Sequence, residues 1–310
     1  MDYRDEDREI WEDELEEFVP KRVFDAHCHL ISLDHLPADT PGIERVTEVY
    51  YSTLKDWAAT VYPGRETHFL MLAKPRPQID AGGHNRMLGE EGAKDFLSRV
   101  HGLATPAMTV QQLESDIRTN DFQGLKVYRT FSVTGDIKNC RIHEYFPLEQ
   151  MELANELGLW VTLHLSRSDG PADEYNLTDL EDYTRRYPGI RWILAHCARS
   201  FTPFPLPKGI QRLKEMPNIW YDLSAVTDVR PFITLFKEED HKRLFYGSDG
   251  IDACSFHGKY VVLGRAWQTF YADESGLEFP HCDGRPVLSL YEQLLCMKHA
   301  AEITGLTRDQ

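Results

Sequence analysis

The chain has 310 residues, 42% of them hydrophobic, and a formal net charge of -16. That length suits one large core or two ordinary domains, and the acidic balance excludes the extended basic face needed to hold nucleic acid or an anionic membrane. No cationic leader precedes an apolar stretch and no run approaches the ~18 apolar residues of a membrane span, so the sequence reads as a cytoplasmic protein whose partner is a small molecule.

Much of the acid lies in "MDYRDEDREIWEDELEEF". Its spaced Ile10, Trp11, Leu15 and Phe18 predict an acidic helix over residues 1–20, solvated and packed by one edge. After it, short apolar runs alternate with helical patterns, the order expected of a parallel sheet with crossover helices. The strand candidates are "RVFDAH" from Arg22, "HFLMLA" from His68, "GLATPA" from Gly102, "GLKVYR" from Gly124, "WVTLHL" from Trp160, "RWILAH" from Arg191, "IWYDLS" from Ile219 and "RLFYGSD" from Arg243. Helices are predicted between them at Asn85 to Val100, Thr109 to Thr119, Glu144 to Leu157, Leu177 to Tyr187, Lys208 to Met216 and Pro231 to Lys237, with a last one from Ser289 to Ile303. Thr109 with Gln112 has the spacing of a capping box, and Gly158 punctuates a helix end. Eight such strands make an α/β TIM barrel, a single domain over residues 1–310. Two stretches exceed ordinary loop length, Ile31 to Thr67 and Gly250 to Pro286, and in a barrel both project from the catalytic face as pocket walls.

The cysteines are too sparse for a disulfide framework and read as reduced, mostly buried thiols; Cys28 faces away from its flanking histidines by strand alternation. Asp25, His27 and His29 fall on one side of the first strand if it continues that far, and two imidazoles at that spacing can bite one metal or simply hydrogen-bond in a core. Three further strands end in ligand-type residues, His164, His196 and Asp249. Delivery of all of these to one end of one barrel is hard to obtain by packing alone.

In this pattern, His-x-His after the first strand, His after the fifth and sixth and Asp after the eighth, the chain resembles the amidohydrolase superfamily. It is most similar to the amidohydrolase-related branch of decarboxylases, lactonases, hydrolases and hydratases acting on small carboxylic acids. The resemblance implies His27, His29, His164 and Asp249 as ligands of one divalent metal, zinc first with manganese or iron as alternatives, and His196 as the residue beside an activated water. It also implies a homodimer. Asp249 and His196 would then carry the proton transfers of a hydrolase acting on an amide, ester or lactone carbonyl. A non-oxidative decarboxylase or hydratase and a non-catalytic acid-binding barrel are the alternatives.

Asp25 is either a partner orienting a ligand imidazole or a structural cap. Lys126, in the fourth strand, is either a substrate contact or, if carboxylated, a bridge that brings a second metal and makes His196 a ligand. Arg167 and Arg199, just beyond the histidine strands, are candidate carboxylate clamps, with Tyr128 beside the site and Arg129 a weaker third cation. His35, His84, His257 and His281 lie in predicted loops with exposure as the expectation, and "GGHNRMLG" reads as a turn and helix start, lacking a dinucleotide fingerprint.

Overall fold

In the computed structural model, which describes residues 1–307, the apolar runs become eight parallel strands in simple sequential order. They are β1 (Arg22–Leu30), β2 (Glu66–Ala73), β3 (Arg99–Leu103), β4 (Gly124–Tyr128), β5 (Trp160–His164), β6 (Arg191–Leu194), β7 (Ile219–Asp222) and β8 (Leu244–Phe245). Between the last strand and the first, the Ala26 amide donates to the Tyr246 carbonyl at 2.8 Å and the Ser248 amide to the Asp25 carboxylate at 2.8 Å. These bonds bring the sheet round into a nearly closed TIM barrel, because a strand with both neighbours satisfied presents no edge.

Two apolar clusters divide the strand residues by face. Ala26, Leu70, Leu72 and Ile193, with Trp160, Trp220 and Phe245 against them, fill the barrel interior. A much larger cluster, including Val23, Phe69, Met71, Leu125, Val127, Val161 and Leu163, packs the outer faces of the strands against the helices. Along β1 the alternation changes phase. Ala26 belongs to the interior cluster and Cys28 to the outer one, and the pairing with β2 shifts register between Asp25 and Cys28. A bulge of this kind re-aims every later side chain, so Ala26, His27 and His29 all turn inward while Asp25 does not. The carboxylate of Asp25 instead accepts the backbone amides of His27 and Ser248, the structural role of its two readings.

The crossover helices follow their sequence punctuation. The helix Val110–Thr119 has the capping box, with Thr109 Oγ1 accepting the Gln112 amide at 3.2 Å and Gln112 Oε1 accepting the Thr109 amide at 2.9 Å. Gly158, at φ 65°, supplies the left-handed residue after the helix Leu148–Glu156. Elsewhere the boundaries move. The predicted helix from Asn85 runs earlier, over Ala81–Gly92, capped by the Asp80 side chain, and Val100 belongs to β3. The N-terminal stretch is a short α-helix, Asp5–Ile10, continued by a wider turn at Trp11–Leu15, with Trp11 and Leu15 buried in the outer core. Among the described residues no helix is long and apolar enough to cross a membrane.

The two long insertions acquire their own structure. The first carries the helix Tyr51–Val61 and an antiparallel bridge between Ile31 and Val49. The second, read from sequence as a loop, forms an antiparallel hairpin of β9 (Gly258–Leu263) and β10 (Ala266–Tyr271). His257, expected to be exposed, is buried at the base of this hairpin, where its Nε2 lies 2.9 Å from the buried carboxylate of Asp7. His84 is buried as well, inside the helix after β2.

Candidate active site

The C-terminal ends of β1, β5, β6 and β8 bring the histidines and Asp249 together. His27 Nε2 lies 3.2 Å from His29 Nε2 and 3.2 Å from Asp249 Oδ1, and His29 Nε2 is 3.5 Å from the same oxygen. Donor atoms about 2.1 Å from one cation stand roughly 3 to 3.4 Å apart in octahedral or tetrahedral geometry, so these spacings suit a shared ion. A donor atom of His196 joins His27 and Asp249 in a group whose members all lie within 4.8 Å of one another. His164 is adjacent, its ring centroid 5.2 Å from that of His196 and 4.5 Å from that of Tyr128.

Ring orientation decides which nitrogen faces the cluster. His27 Nδ1 lies 2.9 Å from Asp222 Oδ2, His29 Nδ1 2.9 Å from the Ala73 carbonyl, and His164 Nδ1 2.9 Å from the Leu165 carbonyl. Each of these partners only accepts, so each Nδ1 carries the hydrogen and each Nε2 keeps its lone pair, the state in which imidazole binds a metal. Burial lowers the pKa of His29 and His164 well below the usual histidine value and that of His196 less far, which keeps these rings neutral. Burial raises the Asp249 carboxyl, while His196, His29 and His27 pull it well below the usual carboxylate range to the extent that they carry a proton; with these rings neutral, a cation in the cluster would do the same.

Lys126 is fully buried in β4, with Nζ 3.2 Å from His27 Nε2 and 5.7 Å from the centre of the Tyr128 ring. Burial pushes its pKa down to about 8 against the opposing pull of Asp222 and Asp249. Tyr128, at the end of the same strand, has its phenol raised by burial and stays protonated.

The backbone around the site is unusual. His196, Cys197, Ala198 and Arg199 all have left-handed φ, at 58°, 51°, 56° and 63°, and the Ser200 amide donates to the His196 carbonyl at 2.8 Å. This is one turn of left-handed helix without a glycine, at a cost of about 1–2 kcal/mol per residue. Residues three apart on such a turn share a side, so His196 and Arg199 project together. Asp249 and Arg167 are left-handed as well, at φ 74° and 62°. Strain concentrated where side chains must be aimed is a recurrent feature of functional sites.

The arginines divide. Arg167 is engaged: its Nε lies 2.9 Å from the Asp173 carboxylate, its guanidinium donates to the Asn139 carbonyl, and it stacks 4.5 Å from the Tyr175 ring centre. Arg199 is half-buried, donates to the Arg167 carbonyl, and has no carboxylate in ion-pair range among the described residues. Burial and the neighbouring Arg129 push its pKa down to about 10. Arg129 donates to the Ile137 carbonyl at 2.6 Å, while its buried Nε has no hydrogen-bond partner among the described residues. Both cations act on Tyr128 and His164, so two guanidinium groups with no carboxylate in ion-pair range among the described residues border the histidine cluster.

The hairpin reaches this region too. Trp267 stacks on Phe201 with ring centres 4.1 Å apart, and Phe201 lies 5.4 Å from the His196 ring. Sequence reading missed Asp222 and Ser224. Asp222 is fully buried at the end of β7, and Ser224 Oγ lies 2.9 Å from His196 Nδ1. The signal was present, since "IWYD" ends an apolar run in a carboxylate as the other site strands end in histidine or aspartate.

A family model described as amidohydrolase matches residues 24–309. Comparison with curated protein sequences finds no match. Among solved structures, the chain is similar in fold to a probable 2-pyrone-4,6-dicarboxylic acid hydrolase from Acinetobacter baumannii with citric acid bound, at 13% identity and TM-score 0.52, over 73% of this chain and 83% of that one. A 4-oxalomesaconate hydratase from Rhodopseudomonas palustris matches at 13% identity and TM-score 0.51, over 91% and 95% of the two chains. A 5-carboxyvanillate decarboxylase from Novosphingobium aromaticivorans with bound manganese matches at 10% identity and TM-score 0.52, over 73% and 86%.

Proposed function

Because the chain belongs to the amidohydrolase family, we propose that it is a metal-dependent hydrolase adding water to an amide, ester or lactone carbonyl of a small carboxylated molecule. The observation that carries this reading is the convergence of His27 Nε2, His29 Nε2 and Asp249 Oδ1 within 3.5 Å of one another, each imidazole with its other nitrogen already bonded. This nitrogen and oxygen donor set fits one divalent cation held by His27, His29 and Asp249, with His164 as the further ligand. Zinc, manganese and iron all accept such ligands. A divalent ion there supplies Lewis-acid polarisation of a carbonyl and a lower pKa for water.

The chain's own groups supply the rest. Asp249, ionised and with its side chain 19% exposed, faces both the cluster and incoming solvent, so it can take a proton from water. His196, with Nδ1 against the Ser224 carbonyl at 3.2 Å, presents an unprotonated Nε2 that accepts a proton and returns it to the leaving group. Arg199 and Arg129 bind the substrate carboxylate, since half-buried guanidinium groups with no carboxylate paired to them among the described residues favour an anion in spite of the net charge of -16. Tyr128 donates a hydrogen bond beside them.

The test is a screen of metal-loaded protein against small carboxylated lactones, esters and amides, repeated with His196→Asn. A hit slowed by about 100-fold or more in the variant supports the assignment. Equal rates would remove His196 from the chemistry.

Arg199 and Arg129 beside the cluster also suit a second reading, non-oxidative decarboxylation of an aromatic or unsaturated acid, in which the same site holds the carboxylate and a proton takes its place on carbon. Release of carbon dioxide without addition of water separates that reaction from hydrolysis.

A further inference from the structure

The cluster and the left-handed turn share one anchor. Asp222 Oδ2 accepts His27 Nδ1 at 2.9 Å, while Oδ1 accepts the His196 amide at 3.1 Å, the Ser224 amide at 3.1 Å and the Ser224 hydroxyl. Four donors thus converge on this buried carboxylate, one on Oδ2 and three on Oδ1, from three strand ends. The Ser224 hydroxyl, having donated its hydrogen to Asp222, keeps lone pairs for His196 Nδ1 at 2.9 Å, and it lies 3.3 Å from His27 Nδ1, whose shorter bond is the one to Asp222. A second acceptor, the Ser224 carbonyl, faces the same nitrogen at 3.2 Å.

We propose that Asp222 is a positioning residue shared by the two halves of the site: one oxygen fixes the ring and tautomer of His27, and the other anchors the left-handed turn that carries His196 and Arg199. It builds on the metal-dependent reading above and goes beyond it by coupling two functions to one carboxylate. Through Oδ2, Asp222 keeps the His27 hydrogen on Nδ1 and the metal-binding lone pair on Nε2. Through Oδ1, directly and by way of Ser224, it fixes where the turn begins and which His196 nitrogen faces the substrate. The four consecutive left-handed residues need such a tie, since nothing in their side chains favours that backbone. Asp222 is fully buried and acts through His27, His196 and Ser224.

Two readouts test this without a known substrate: zinc affinity by chelator competition, and nitrogen-15 shifts of the His27 and His196 rings in zinc-loaded, histidine-labelled full-length protein. In wild type both rings should carry hydrogen on Nδ1. Asp222→Asn, which keeps the shape and offers His27 an amide donor in place of an oxygen, should weaken zinc by about 10–100-fold and remove the Nδ1–H signature of His27. Ser224→Ala, which leaves the carboxylate in place, should shift the His196 resonances while zinc affinity stays within about twofold of wild type.

A folded Asp222→Asn protein with wild-type zinc affinity would overturn the proposal, as would hydrogen on His196 Nε2 in wild type or unchanged His196 shifts in Ser224→Ala. If Asp222→Asn does not fold, the wild-type tautomers and Ser224→Ala still decide. Failure of the wild type to bind zinc, manganese or iron would sink the metal-dependent reading instead, and the metal-free tautomers would then test the positioning role alone.

Discussion

Lys126 Nζ lies 3.2 Å from Nε2 of His27, the atom that a metal would have to reach. An ammonium there opposes a divalent cation, and burial already pushes its pKa down to about 8. Metal binding at pH 7 should therefore displace a proton from Lys126. Affinity in the wild type should rise about tenfold from pH 7 to pH 9, while Lys126→Met should bind about tenfold more tightly at pH 7 and lose that part of the dependence. Identical pH profiles would contradict this. Two metals in wild type and one in the variant would instead identify a carbamate bridge.

The left-handed turn should tolerate glycine and reject branching. At Ala198, with φ 56° and a fully buried methyl, Ala198→Gly relieves backbone strain but loses apolar burial, so stability should change by less than about 1 kcal/mol. Ala198→Val puts a β-branched residue into the same backbone and should cost about 2–3 kcal/mol. Denaturant melts of the two variants check the ordering, and equal losses would contradict the assigned conformation.

Arg199 and Arg167 should differ although both follow histidine strands. Removing the uncompensated cation, in Arg199→Gln, should raise KM for a carboxylated substrate about 10–100-fold with a smaller change in kcat. Arg167→Gln removes a guanidinium already held by Asp173, Asn139 and Tyr175, and should lower the melting temperature more than it raises KM. A larger KM effect at Arg167 would reverse the assignment.

His84 offers a pH test remote from the cluster. Among the described residues neither ring nitrogen has a hydrogen-bond partner, and burial lowers its pKa to about 3. The folded protein keeps this ring neutral while the unfolded chain protonates it below about pH 6.5, so its contribution is intact above that pH and lost as pH falls towards 3. His84→Leu should flatten the slope of stability between pH 6 and 4 by about one proton, or ~1.4 kcal/mol per pH unit. An unchanged slope would show that His84 is protonated or hydrated in the folded state.

Parallel strands buried on both faces leave continuous apolar runs, and that is why the barrel could be read from "WVTLHL" or "RWILAH". Ligand-type residues closing those runs made His27, His29, His164, His196 and Asp249 visible together. Asp25 was misplaced because alternation assumes an unbroken strand, and the bulge before Cys28 changes its phase. The hairpin was legible in principle: Gly264 and Arg265 sit between runs rich in valine, tyrosine, tryptophan and phenylalanine, but "HGKYVVLGRAWQTFYADE" was read as loop. The engagement of Arg167, the burial of His257 against Asp7 and the ties made by Asp222 depend on contacts between distant segments, which no local pattern encodes.

Elemental analysis of protein purified without added metal, beside a His27→Ala/His29→Ala double variant, tests the central claim most directly. About one equivalent of a divalent transition metal in the native protein, lost in the variant, is the predicted result. No metal even after reconstitution, or the same content in both proteins, would contradict a metal site at the end of β1.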